Sequence, residues 1–419
     1  MVYSLSGTSY WDPNIILNGA IGGGYQPKQY FSNYPNTLML LYMEHFLWLL
    51  LGKPTLEVLI LVFNYINIIV IDFGMVMIAN IADRWFGRQY ILLVTVSIWY
   101  MFLVTPWVAL TYTDTWAFML TALNLWLITN YYYSHRLWKR YLYAGLLGLS
   151  FAVSYYLKPS LLIVFVAYFI IYSLYFLGER RKIQDWLTVG LSLIFGLIVV
   201  AGICTAFHVY TNNQRMVVVD PSLSHPVTHF IAMGMTGTGG YTLSDVQLDE
   251  RIKSPKKRRA VNTQLIKTRL SAFGPANYFK FLVNKQVANT SDASFGWGQD
   301  GTFLVVNKMN DKGMVSVLPR KLYTQNGVAL TTSYEYRFAV QIAWSMALFC
   351  LLLGVGLKSW KIQFLKYSIV GGMLFLLIFE GGRSRYMIQF LPIILILAAV
   401  SGQKWGEWVY GHFRTDREK

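Results

Sequence analysis

The sequence predicts an all-α polytopic membrane protein, a bundle of about ten apolar spans with one long polar, mostly helical loop outside the membrane. Three observations carry this prediction. Hydrophobic residues make up 55% of the 419 and charged residues only 13%; a soluble domain carries about a quarter charged and its single core stops growing near roughly 250–300 residues. The apolar residues gather in runs close to the ~20 residues that cross a bilayer. The basic residues fall in every second short connection, the pattern expected of cytoplasmic loops. The formal net charge of +16 therefore points to topology and to anionic lipid or phosphate ligands, not to nucleic acid. Cys204 and Cys350 lie in separate apolar runs and mark neither a disulfide framework nor a metal site.

Residues 1–54 form a polar first segment without a signal-peptide core, ending in the apolar run 37–52, which reads as a span or an interfacial helix. Spans are expected at 55–81, 89–107, 114–132, 142–157, 160–177 and 187–208, which together make a bundle over 55–208. The segment 209–337 is too long for a connector. Within it Gly234 to Gly240 reads as a flexible turn, Ser254-Pro255 as a helix start, and Gly274-Pro275 as the stop of that helix and the start of another through Phe279, Phe281 and Leu282. Three further spans follow at 338–357, 364–380 and 385–402, and 403–419 is a tail. Arg84, Arg88, Arg136, Lys139, Arg140, Arg180, Arg181, Lys182, Lys358, Lys361, Lys366 and the basic tail then share the cytoplasmic side. A first segment that starts outside with no span before it suggests an upstream helix beyond this sequence.

The polar residues that could carry chemistry collect on the opposite side. Asp12, in Tyr10-Trp11-Asp12-Pro13, reads either as a general base for an acceptor hydroxyl or as a loop carboxylate. Asp114, where a span re-enters the membrane, reads first as a helix cap, favoured by the helix dipole, and otherwise as a group facing a pocket. Lys158-Pro159 places a cation in a narrow turn, where it holds a phosphate or snorkels to headgroups. Glu380 to Tyr386 brings Arg383 and Arg385 together, and arginine forks suit phosphate oxygens; an ion pair with Glu380 is the alternative. Asp72, mid-span with Asn64 and Asn67 on preceding turns, reads equally as a functional and as a structural carboxylate. The glycine-rich Thr236 to Tyr241 lacks the strand–helix context of a nucleotide loop, and neither a His-Glu-x-x-His run nor a cysteine pair marks zinc. No metal ligand is assigned.

The order of these features resembles the GT-C membrane glycosyltransferases that use polyprenyl-phosphate sugars. The nearest likeness is to the protein O-mannosyltransferase and aminoarabinose-transferase type and their Gram-positive cell-envelope relatives. The motifs are the acidic segment at Asp12, the aromatic-proline stretch Tyr30 to Asn36, Thr113-Asp114, Lys158-Pro159, Arg385-Tyr386 with Leu391-Pro392, and Trp297 to Phe303. Each is short, and together they span most of the chain. The resemblance implies a GT-C-like bundle with an extracytoplasmic active site and an inverting transfer of a sugar to a glycan, lipid or protein acceptor. By position it implies Asp12 as base with Asp114 as the second candidate, Lys158, Arg383, Arg385 and Tyr386 on the donor phosphate, and Tyr34, Trp297 and Asp300 as pocket residues. The family's span before the acidic loop is absent here, and Pro13 stands where many members carry a second acid, which leaves assistance by a divalent metal open. A membrane polysaccharide polymerase and a lipid or solute transporter are the rival readings; paired halves and broken helices, usual in transporters, are not visible.

Overall fold

The computed structural model describes residues 2–9, 11–23, 27, 29–178, 183–297, 304–306, 313–323 and 335–415. Asp300, the basic residues at 180–182, and Arg417 and Lys419 lie outside them. The described residues are almost wholly helical. Short helices α1 (Val2–Leu5), α2 (Asp12–Ile21) and α3 (Tyr30–Asn33) lead to α4 (Leu38–Leu50). With 13 residues, α4 reaches only about 20 Å, too short to cross. Each of the nine expected spans is a helix: α5 (Leu56–Phe86), α6 (Gln89–Val104), α7 (Thr113–Tyr133), α8 (Leu137–Leu157), α9 (Leu162–Gly178) and α10 (Ile183–Asn213), then, after the long loop, α15 (Glu335–Leu353), α16 (Trp360–Ile378) and α17 (Leu391–Thr415). The loop holds α11 (Val227–Met233), α12 (Leu243–Glu250), α13 (Pro255–Thr290) and α14 (Met314–Tyr323).

Among the described residues, four helical stretches are long and apolar enough to cross a membrane: Leu56–Phe86, Trp186–Asn213, Trp360–Ile378 and Ser384–Tyr410. The first and second halves of the bundle are used differently. The apolar window of Ser384–Tyr410 is 83% buried and that of Trp186–Asn213 only 6%, so the last span is the axis of the bundle and α10 its rim, presenting Leu191, Ile194 and Ile198 outward. Helices α8 and α10 touch at Gly148, where a Cβ would meet the Gly196 carbonyl oxygen at 2.4 Å; small residues at such crossings let membrane helices pack closely. Helix α7 is less apolar because it buries Asp114, Thr121, Asn124 and Asn130, and Asn124 bonds to Ser150 and Ser154 of α8. The final helix runs through the expected tail as far as Thr415.

The described part of the long loop matches one expectation and corrects another. Ser254 accepts the Lys257 amide hydrogen as the cap of α13, and Gly274-Pro275 breaks the run as expected, with Gly274 non-helical at φ 63° and ψ 167° and a second helical stretch following across the kink. The turn Gly234 to Gly240 is not free: the Gly381 amide donates to the Gly239 carbonyl at 2.8 Å, and Lys285 Nζ, buried beneath it, donates to the carbonyls of Gly234, Phe379 and Leu377 at 2.6, 2.7 and 3.1 Å. A small antiparallel ladder, Gly7–Ser9 (β1) with Leu304–Val306 (β2), pairs Thr8 with Val305 and fastens the first segment to the long loop.

Candidate active site

The first wall of the site is the start of α7. Two asparagines of α5 hold the backbone that precedes it. Asn67 Nδ2 donates to the carbonyls of Trp107 and Val108, both at 3.2 Å, and Asn67 Oδ1 accepts from Thr115 Oγ1 at 2.5 Å. Asn64 Oδ1 accepts the Thr111 amide and hydroxyl hydrogens at 3.0 and 2.8 Å. Tyr112 is thereby extended, at φ −156°, and Asp114 falls in the first helical turn. Its carboxylate does not cap the helix. It is 1% exposed and joins two cations: Lys158 Nζ donates to Oδ1 at 2.5 Å, and Arg385 Nε lies 3.3 Å from Oδ2. Lys158 reaches there because Pro159 ends α8 and leaves Lys158 extended, at φ −161°. Burial pulls the Lys158 ammonium below the usual lysine range, with the Asp114 carboxylate opposing it. Arg385 comes from the 3-10 run Ser384–Phe390 that leads into α17.

The second wall is Asp12, at the start of α2, half-buried. Its Oδ1 accepts from Tyr30 OH at 2.7 Å and its Oδ2 from Tyr112 OH at 3.0 Å. A carboxylate offers about four lone-pair sites, so positions remain for a third donor. Burial, reinforced by the adjacent Asp12 charge, holds both phenols well above the usual tyrosine range, so they stay donors. An aromatic bridge joins the walls: the Arg385 guanidinium carbon sits 4.3 Å from the Trp11 ring centre and 5.5 Å from that of Tyr112, with Trp11 edge-on to Tyr112 at 5.1 Å. Such stacking is itself attractive. Tyr386 lies beneath both cations, 5.3 Å from Lys158 Nζ and 5.6 Å from Arg385, and its hydroxyl donates to Glu380 at 3.1 Å. Burial raises the Glu380 carboxyl above its usual range, with Arg383 opposing.

Asp12, Asp114, Lys158 and the adjacent pair Arg385 and Tyr386 thus come together from four separate segments. Tyr34 joins at the edge, its ring 5.3 Å from that of Tyr30, and Arg383 lines the same loop, half-buried against Gly240. Trp297 does not belong. It is 0% exposed, edge-on to Trp107 at 5.3 Å, and its indole donates to the Tyr323 carbonyl at 3.0 Å; this aromatic packs the junction of loop and bundle. Asp72 sits on the exposed face of α5, away from the cluster that Asn64 and Asn67 support. The sequence reading gives Trp11 and Tyr112 no role, although each lies beside a residue of a named motif, and it names Tyr30 only as the start of the aromatic-proline stretch.

A family profile described as a conserved hypothetical integral membrane protein matches residues 1–405. The chain belongs to that family. It is an integral membrane protein, and the apolar rim of α10 is accordingly a lipid-facing surface. No curated protein and no solved structure matches the chain.

Proposed function

We propose that this integral membrane protein is a glycosyltransferase that moves a sugar from a polyprenyl-phosphate donor to an extracytoplasmic hydroxyl acceptor, with inversion. The observation that carries the reading is the pairing of one doubly hydrogen-bonded carboxylate, Asp12, with the cations Arg385 and Lys158 across a single aromatic bridge. Asp114 balances only one of its two cations, so the cation wall keeps a surplus positive charge for a phosphate. The acceptor oxygen attacks the sugar C1 while the bond from C1 to the phosphate oxygen breaks. Asp12 takes the hydroxyl proton, and the polyprenyl phosphate leaves as an anion held by Arg385 and Lys158. Stabilising charge that develops at the leaving group is commonly the largest catalytic contribution. Asp114, engaged by both cations, positions them and is not the base.

The setting suits a lipid donor. An apolar groove of about 640 Å³ lies away from the polar cluster, between α7, α8, α9 and α10, lined by Ile128, Gly148, Phe151, Tyr168, Leu193 and Val200. Phe151 precedes Lys158 by seven residues, roughly 10 Å along α8, so an isoprenoid tail in the groove reaches the cations with its phosphate. Two arginines of the long loop, on which a polymerase reading would draw, serve the fold: buried Arg258 donates to backbone carbonyls of Ser222, Leu223, Ser224 and Ile252, and half-buried Arg269 pairs with Asp245. The test is binding of a polyprenyl-phosphate sugar to the purified protein in nanodiscs. The parent binds it and Arg385→Ala does not, while both fold; equal binding by the variant removes the phosphate site and the reading with it.

A further inference from the structure

Behind Tyr34 lies a second polar cluster that sugar transfer does not use. His225 and His229, four residues apart, flank the start of α11, and Asp249 closes α12. All three are buried, with His225 6%, His229 0% and Asp249 1% exposed. His225 Nδ1 is 2.6 Å from Asp249 Oδ2, and His229 Nδ1 is 3.5 Å from the same oxygen. The two imidazoles stack, with centres 4.3 Å apart and planes inclined by 15°. Asn262 Nδ2 donates to the other carboxylate oxygen at 2.5 Å, which turns Oδ2 toward both rings. Among the described residues neither nitrogen of His229, nor Nε2 of His225, has a hydrogen-bond partner. A neutral imidazole carries one donor and one lone pair, and burying both unmet is unfavourable.

We propose that His225, His229 and Asp249 form a divalent-metal site of zinc type. One ligand atom from each lies within 4.8 Å of the others. Zinc bonds of ~2.0–2.2 Å to nitrogen and oxygen set tetrahedral ligands about 3.4 Å apart. His229 Nδ1 and Asp249 Oδ2 have that spacing already. His225 Nδ1 and Asp249 Oδ2 are closer, at hydrogen-bond distance; with the ion bound, the His225 ring takes the tautomer that carries its proton on Nε2, and the contact opens slightly. Two imidazoles and a carboxylate suit zinc, with water in the fourth position. Asn262 is the outer-shell residue that orients the carboxylate. The site braces the segment that supplies Tyr30 to Asp12: the His225 amide donates to the Asn33 carbonyl at 3.1 Å, Asn33 Nδ2 donates to Glu250 at 2.9 Å, and the Tyr34 ring lies 4.9 Å from that of His225. This inference does not depend on the transfer reaction.

The experiment uses the full chain in nanodiscs, purified without a histidine tag and stripped with chelator. With added Zn²⁺ the parent retains one equivalent after desalting and unfolds at a higher temperature. With Co²⁺ it gives the visible absorption of a four-coordinate site. His229→Gln and Asp249→Asn lose both signals, and Asn262→Ala binds ~10–100-fold more weakly, the range for outer-shell partners. A parent with no retained zinc and no cobalt spectrum overturns the proposal and leaves a hydrogen-bonded His225–Asp249 pair, as does retention unchanged in both ligand variants. The parent's result decides on its own if the variants fail to fold.

Discussion

Asp12 and Arg385 sit 373 positions apart in the chain, yet each owes its placement to a tyrosine or tryptophan close by. Removing one phenol from Asp12 by Tyr112→Phe deletes a hydrogen bond to a charged group, worth about 1.5–3 kcal/mol, and is expected to lower sugar transfer about ten- to a hundredfold with donor binding kept. Unchanged turnover would separate Tyr112 from the base. Arg385→Lys keeps the charge but loses the planar fork that lies on Trp11, so donor affinity should fall clearly below the parent's; equal affinity would mean that a point charge suffices. Glu380 gives the pH prediction. Burial raises its folded pKa above the ordinary carboxylate range, so between those two values the folded state binds more protons than the unfolded chain, and stability falls as pH rises through that window. Glu380→Gln lacks this slope. Its unfolding temperature, relative to the parent's, should climb as pH rises above the ordinary carboxylate range; parallel curves would show that burial does not raise the Glu380 carboxyl.

The elements were legible where one local rule decides. The nine apolar runs became helices, Pro159 ended α8, and Ser254-Pro255 began α13. What was not legible depended on contacts between distant segments. Asp114 looked like a cap because the helix dipole favours it there; only the fold brings Lys158 and Arg385 to its two oxygens. The glycines at 234–240 looked like a hinge because glycine permits motion, but here they permit contact. Gly382, at φ 68°, would put a Cβ 2.1 Å from the Thr238 carbonyl oxygen, whereas Gly237, at φ 53°, has nothing within 4 Å. Gly382→Ala is therefore expected to destabilise by more than the ~1–3 kcal/mol of backbone strain alone and Gly237→Ala by no more than that strain, measured by thermal unfolding in detergent. Equal losses would mean that the contact between the 380s loop and the glycine turn contributes nothing. His225, His229 and Asp249 escaped notice because their spacing fits no short motif, and α12 has to fold back before Asp249 meets the two rings.

At the scale of the whole molecule, the residues of the proposed reaction lie at the start of α2 and at the ends of α7, α8 and α17 that meet the long loop, opposite the basic connections at Arg84, Arg136 and Lys358. This polarity was readable from charge alternation. The depth of the site was not, because it comes from the loop closing over the bundle through Lys285, Gly239 and the β1–β2 ladder. In a cysteine-free background, Leu243→Cys on the loop should react with an impermeant reagent added outside the cell, and Trp138→Cys, equally exposed on the other side, should not; labelling of Trp138→Cys would invert the topology. The central claim is that Asp12 takes a proton from an acceptor while Arg385 and Lys158 hold a departing lipid phosphate. Its most direct test is Asp12→Asn, assayed for release of polyprenyl phosphate from a polyprenyl-phosphate sugar in nanodiscs. The substitution keeps the size of the side chain and removes the basic oxygen, so the variant should bind donor as the parent does and turn over roughly 10²–10⁴-fold more slowly, the usual contribution of a positioned base. Turnover at the parental rate, in protein that binds donor normally, would contradict the account.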